Sequence, residues 1–222
     1  MQAVESETLI LYHTALGGQW PEAAARALAA QLAYARRLAA QRSTAQAQAS
    51  LAGIALALRA LAQLLHRAVA PGEIVFAQGE KPRLAAEPSL AAAAAAGGTQ
   101  REVHRAARAA GPDFSIAHAG PWVACAAVAR GRVGLDVELG SDARIADWVV
   151  REAALKATGE GLRALRDVRE LEWGPRDLCW RGERWHLRRL DLFPGASACL
   201  LTSRAPSTVE VRAVTLAELF AP

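Results

Sequence analysis

An α+β fold is predicted from a change of pattern part-way along the chain. Before about residue 110, alanine-rich runs carry apolar residues at helical spacing; after it, short alternating apolar segments are separated by Gly-containing turns. The hydrophobic content, 52% of 222 residues, is enough to bury a sizeable interior. We therefore expect a helix-rich α+β subdomain over 1–111. A second α+β subdomain, built on a meandering antiparallel sheet, is expected over 112–222.

The elements follow in order. LILYH reads as a first strand, and residues 20–40 form a run of high helix propensity whose one proline, Pro21, suits a helix start. A second helix is expected over 45–69, where Leu51, Ile54, Leu58, Leu61 and Leu65 recur at spacings of three and four, a stripe expected to pack on the first helix. Pro71-Gly72 ends it, EIVFAQ is a short β-like run, 85–98 reads as a surface excursion, and TQREVHRAARAAG reads as a helix closed by Gly111. DFSIAHAG, PWVACAAVA and GRVGLDVE then read as three strands. A helix over 143–158 stopped by Gly159 comes next, and short strands at LRDVRELEW, DLCWRG, RWHLRRL, SACLLTS and TVEVRAV precede a final turn at LAELF.

Composition narrows the function classes. No apolar run approaches the roughly 18 to 20 residues of a membrane span, and the N-terminal stretch lacks the basic start and apolar region of a secretory signal, so a cytoplasmic protein without a membrane partner is expected. Cys125, Cys179 and Cys199 stand singly without metal-ligand spacing and read as reduced core residues. A net charge of +4 would suit a polyanionic ligand or an acidic protein. No nucleic-acid motif or interleaved basic and aromatic pattern accompanies it, so a nucleic-acid partner is not expected.

The chemistry is concentrated in two neighbouring segments. In Val133-Gly134-Leu135-Asp136-Val137-Glu138, residues two apart share a strand face, so Asp136 and Glu138 point one way and Val133, Leu135 and Val137 the other. A solvated strand edge would look the same; so would a pair of oxygen ligands for a hard divalent cation, which relieves the repulsion between the acids. Downstream, Trp148, Glu152 and Lys156 fall at i, i+4 and i+8 along one helix face. By itself this is also the pattern of a surface Glu-Lys pair. Together, three carboxylates around Mg²⁺ with a lysine beside them could grip a pyrophosphate, accept a proton from an attacking hydroxyl and offset charge on the phosphate or leaving group.

The order GEKP, FSIAHAGPWVACA, VGLDVE and WVVREAALKATGEGL resembles the 4′-phosphopantetheinyl transferases of the surfactin-synthetase-activating (Sfp) type. Their signatures run GKP, SHSG, (V/I)G(I/V)D(I/V)E and W-x-x-K-E-A-x-x-K-x-x-G-x-G-L, and the match spans residues 79–162. The resemblance implies a monomer of two pseudo-symmetric α+β subdomains that transfers 4′-phosphopantetheine from coenzyme A to a serine of an acyl or peptidyl carrier protein and releases 3′,5′-ADP. It implies Asp136, Glu138 and Glu152 as Mg²⁺ ligands and Glu152 also as general base. Lys156 would stabilise or protonate the leaving group, with His118 and Lys81 at the phosphates of coenzyme A. Trp122 and Trp148 match motif tryptophans. Arg36, Arg37 and Arg42 are further candidates for phosphate or partner contacts, although no motif places them.

Four departures stand beside the match. Ala117 and Ala119 flank His118 where the motif has serines, Arg151 replaces a lysine, and residues 137–151 alone separate Asp136 from Glu152, where the family inserts several tens of residues that help receive the carrier. A non-catalytic or specialised relative that binds coenzyme A or a carrier without transfer is therefore the competing expectation.

Overall fold

A computed structural model describes residues 7–32, 43–76, 81–85 and 111–221, and they fold in the α+β class. The first strand, β1 (Thr8–Ala15), is apolar on both faces, as a central strand must be. Ile10 and Tyr12 face one core, while Leu9 and Leu11 face another. Helix α1 (Glu22–Gln31) stops earlier than the run of helix formers suggests, because Leu32 is extended and turns its side chain into the core. The rest of that expected helix, with Arg36, Arg37 and Arg42, lies outside the described residues, as do 86–110 with the expected excursion and helix.

Helix α2 (Thr44–Leu65) starts on Ser43, whose hydroxyl accepts from the Gln46 amide, and ends at His66 in the left-handed region. Its buried face is wider than the expected leucine stripe. Ala52, Gly53, Leu56, Ala57 and Ala60 join Ile54 and Leu61, and this face packs mainly on a sheet, with α1 alongside. By length and composition α2 could cross a membrane, contrary to the reading that no run is long enough; more than half of its most apolar stretch is buried inside the protein.

The first sheet is built from both ends of the chain. After the short pair β2 (Ile74–Val75) and β3 (Arg83–Leu84) come β4 (Asp113–Ala119), β5 (Trp122–Val128) and β6 (Val133–Leu139), then α3 (Ala143–Thr158), β7 (Asp177–Trp180), β8 (Glu183–Leu190), β9 (Ala196–Thr202), β10 (Thr208–Ala213) and α4 (Leu216–Leu219). The strand order is β10-β1-β5-β4 in one four-stranded sheet and β6-β9-β8-β7 in the other, and β10 runs parallel to β1. The strands after residue 112 therefore do not form one meander, and the sheets do not divide at 111/112. LRDVRELEW is not a strand either: Asp167–Glu170 is a 3₁₀ turn that drops Val168, fully buried, against α3. Cys125 and Cys199 are core thiols, as expected, but Cys179 is exposed; all three are free.

Layering follows from these faces. Helix α2 covers one side of the first sheet, α3 covers one side of the second, and the remaining faces meet in a core of Leu9, Leu11, Ala124 and Ala126 from the first sheet against Val133, Leu135, Val137 and Leu200 from the second. Strands β4 and β6 lie side by side where the two sheets abut.

Candidate metal centre

Gly134 sets the distance between the acid strand and the following helix. A β-carbon there would sit 2.0 Å from the Ala153 carbonyl oxygen and 2.6 Å from the Ala157 nitrogen, so only glycine lets α3 lie directly on β6. Asp136 and Glu138 share the Gly134 face and therefore look at the same helix. The turn into that helix is tight: Gly140 has φ +105°, and the Asp142 carboxylate caps α3 by accepting from the Arg144 and Ile145 amides at 2.9 and 3.0 Å. The short stretch 137–151 is thus consumed by the strand end, the turn and the first turns of helix.

This geometry gathers the acids. Asp136, Glu138 and Glu152 each bring a carboxylate oxygen within 4.8 Å of the others. Lys156 Nζ lies 2.6 Å from Asp136 Oδ1 and 4.0 Å from Glu152 Oε2. The solvated-edge reading of the stripe fails at Asp136, which is only 2% exposed, whereas Glu138 and Glu152 are half-buried at the rim. The second oxygen of Asp136, Oδ2, is buried without a hydrogen-bond partner.

The electrostatics follow from that placement. Burial pushes the Asp136 carboxyl up to about 7; the Lys156 ammonium opposes the rise, and the neighbouring Glu152 and Glu138 charges add to it. Glu138 is raised as well, chiefly by burial and then by Glu152, with Lys156 and a hydrogen bond from the Trp148 indole acting against the shift. With all three carboxylates ionised, as a bound cation would require, they leave two negative charges against one ammonium, the complement of a divalent cation. An all-oxygen donor set with an orphaned buried oxygen fits a hard ion such as Mg²⁺ or Ca²⁺.

The other expected site residues divide. His118, exposed at the end of β4, is close enough to Lys156 to feel its charge; burial of part of the ring, then Lys156, lowers its basicity. Lys81 lies elsewhere: its side chain is 6% exposed, and its ammonium donates to Asp113 Oδ2 at 2.5 Å and to the Val133 carbonyl at 2.6 Å between β4 and β6. Ala117 and Ala119 are buried and face the core between the sheets. Arg151 packs its guanidinium over Trp173 and donates to the Val168 carbonyl, tying the 3₁₀ turn to α3. Trp122 stacks on Phe193 with centroids 4.7 Å apart, beside a cavity of about 600 Å³ that none of the clustered acids lines.

Three contributions were not read from the sequence. Gly134 carries the one available signal, since a glycine inside a strand pattern marks a close approach. Asp113 and Ser115 offered only a same-face spacing of two. Trp148 was placed on the Glu152 face, but its hydrogen bond to Glu138 depends on the strand it meets.

Among known proteins, no protein-family model matches the chain and no curated protein matches it.

Proposed function

We propose that this protein is a Mg²⁺-dependent 4′-phosphopantetheinyl transferase acting on an acyl or peptidyl carrier protein. The observation that carries the reading is the cluster of Asp136, Glu138 and Glu152 with Lys156 against it and one buried carboxylate oxygen left unpartnered. The α+β class of the fold, with each four-stranded sheet backed by one long helix, is compatible with that reading. The net positive charge supports an acidic partner.

A Mg²⁺ ion held by Asp136, Glu138 and Glu152 would supply a Lewis acid for the pyrophosphate oxygens of coenzyme A. Glu152, at the rim, accepts the proton of the carrier serine as its hydroxyl oxygen attacks the β-phosphorus. The bond between that phosphorus and the bridging oxygen breaks, and 3′,5′-ADP leaves with the electron pair. Lys156, on the same helix face, balances the charge on the departing phosphate. His118, with its basicity lowered, is held largely as a neutral imidazole that donates one hydrogen bond to a phosphate oxygen.

A second reading, a relative that binds coenzyme A or a carrier without transferring, is favoured by two observations: Lys81 is buried in the seam, and the β6–α3 link is a bare capped turn. One assay separates the two. Incubation with apo carrier proteins, coenzyme A and Mg²⁺ should add phosphopantetheine, seen by intact mass, and Glu152→Gln should abolish the adduct. Coenzyme A binding without an adduct on any carrier would establish the binder instead.

A further inference from the structure

The edge of the second sheet raises an accounting problem. Residues 133 and 135 of β6 direct their backbone N–H and C=O groups away from β9 and toward β4, yet β4 and β6 belong to different sheets and share no backbone ladder. Side chains fill the gap. Asp113 Oδ2 accepts from the Val133 amide at 2.9 Å, and Ser115 Oγ accepts from the Leu135 amide at 3.0 Å. The Val133 carbonyl accepts from Lys81, which is paired with the same Asp113 oxygen. One ion pair thus satisfies both polar groups of a buried edge residue.

A buried ion pair is a poor source of stability, because desolvation offsets much of its attraction; its best-attested use is to fix a register. Register matters on this strand more than elsewhere. A slip of one residue would turn Asp136 and Glu138 into the apolar core between the sheets and carry Leu135 and Val137 under α3.

We propose that the Lys81–Asp113 pair is a register lock for the acid strand, making Lys81 a positioning residue for the metal cluster and not a ligand of coenzyme A phosphate. The lock itself does not require the transferase reading; its consequence for the cluster rests on the metal-binding part of that reading.

The test uses Lys81→Met and Asp113→Asn in the full chain, with Tb³⁺ luminescence reporting affinity at the acid cluster and hydrogen exchange reporting the peptide that covers Val133–Leu139. Both variants should exchange faster in that peptide and bind Tb³⁺ about tenfold or more weakly, the range seen when a ligand's support is removed. Leu61→Ala, in the core under α2, should lower the melting temperature without changing Tb³⁺ affinity, which separates positioning from general loss of stability. Should a single variant fail to fold, the double variant Lys81→Met/Asp113→Leu, which removes both charges of the pair together, carries the same two readouts. The lock is overturned if Asp113→Asn is silent in both. It is equally overturned if Lys81→Met weakens only 3′,5′-ADP binding, as a phosphate ligand would. A wild-type protein that binds no Tb³⁺ overturns the metal reading, and the exchange comparison then decides the lock by itself.

Discussion

Asp136 is the residue at which fold and chemistry pull hardest against each other. Burial beneath α3 disfavours its charge, and Lys156 compensates only in part, so its carboxyl rises to about 7 from the ordinary value of 3.8. The folded chain therefore holds this proton more tightly than the unfolded chain does. By linkage, the stabilisation is fully present below the ordinary carboxylate range and is lost as pH rises toward 7, above which the buried charge weighs against folding. Asp136→Asn keeps the shape and removes the charge. In EDTA at pH 8 the variant should be more stable than the wild type, on the order of 2–4 kcal/mol, and the difference should vanish near pH 4; urea unfolding at both pH values measures this. A variant less stable at pH 8 would mean that the Lys156 contact outweighs desolvation. The same variant should lose stabilisation by Mg²⁺, whereas in the wild type that stabilisation should weaken as pH falls below about 7, because the ion competes with the proton.

Between β6 and α3, closeness is what builds the site. Gly134→Ala would drive a methyl group into the Ala153 carbonyl and the Ala157 amide, backbone atoms of the helix that cannot swing aside. The helix must lift, at a cost of about 3 kcal/mol or more, and Glu152 and Lys156 lift with it. Gly53→Ala in α2 is the informative contrast. Its β-carbon would meet Ile116 Cγ2 at 2.5 Å, a branch methyl of a side chain and not helix backbone, and a better helix former replaces glycine. Thermal melts should show the larger loss for Gly134→Ala, and only that variant should lose Tb³⁺ binding. Equal losses, or retained binding in Gly134→Ala, would mean that α3 can shift without disturbing the acids. The β6–α3 unit was legible in the sequence because each signal is local: a strand period of two, a helix period near four and Gly159 after the helix. The Lys81 contact was not, since residues 81, 113 and 133 meet only through the packing of two sheets.

For the whole molecule, the same division separates what could be read from what could not. Strand segments are legible nearly everywhere, because alternation is local, but the sheet to which each belongs is decided by partners far along the chain, which is why β4, β5 and β10 pair into one sheet with β1. At 167–170, the demand to bury Val168 under α3 overrode an apolar pattern that looked like strand. The pairing of β10 with β1 also carries a consequence for folding. The last segment holds the first sheet at its edge: Leu219 lies in its core, Arg59 of α2 donates to the Glu218 carbonyl at 2.8 Å, and Phe220 meets Trp20 edge-on. The second sheet has its own core under α3, in which no described residue after Leu201 takes part. A chain ended after Ser207 should therefore exchange faster in the peptides of β1 and α2 while α3 and β9 keep most of their protection, and its unfolding should split into two transitions. Uniform loss of protection in α3 and β9 would show instead that the core shared between the sheets makes them one cooperative unit. In that case the acidic cluster, although built from β6 and α3 alone, would depend on strands at both ends of the chain.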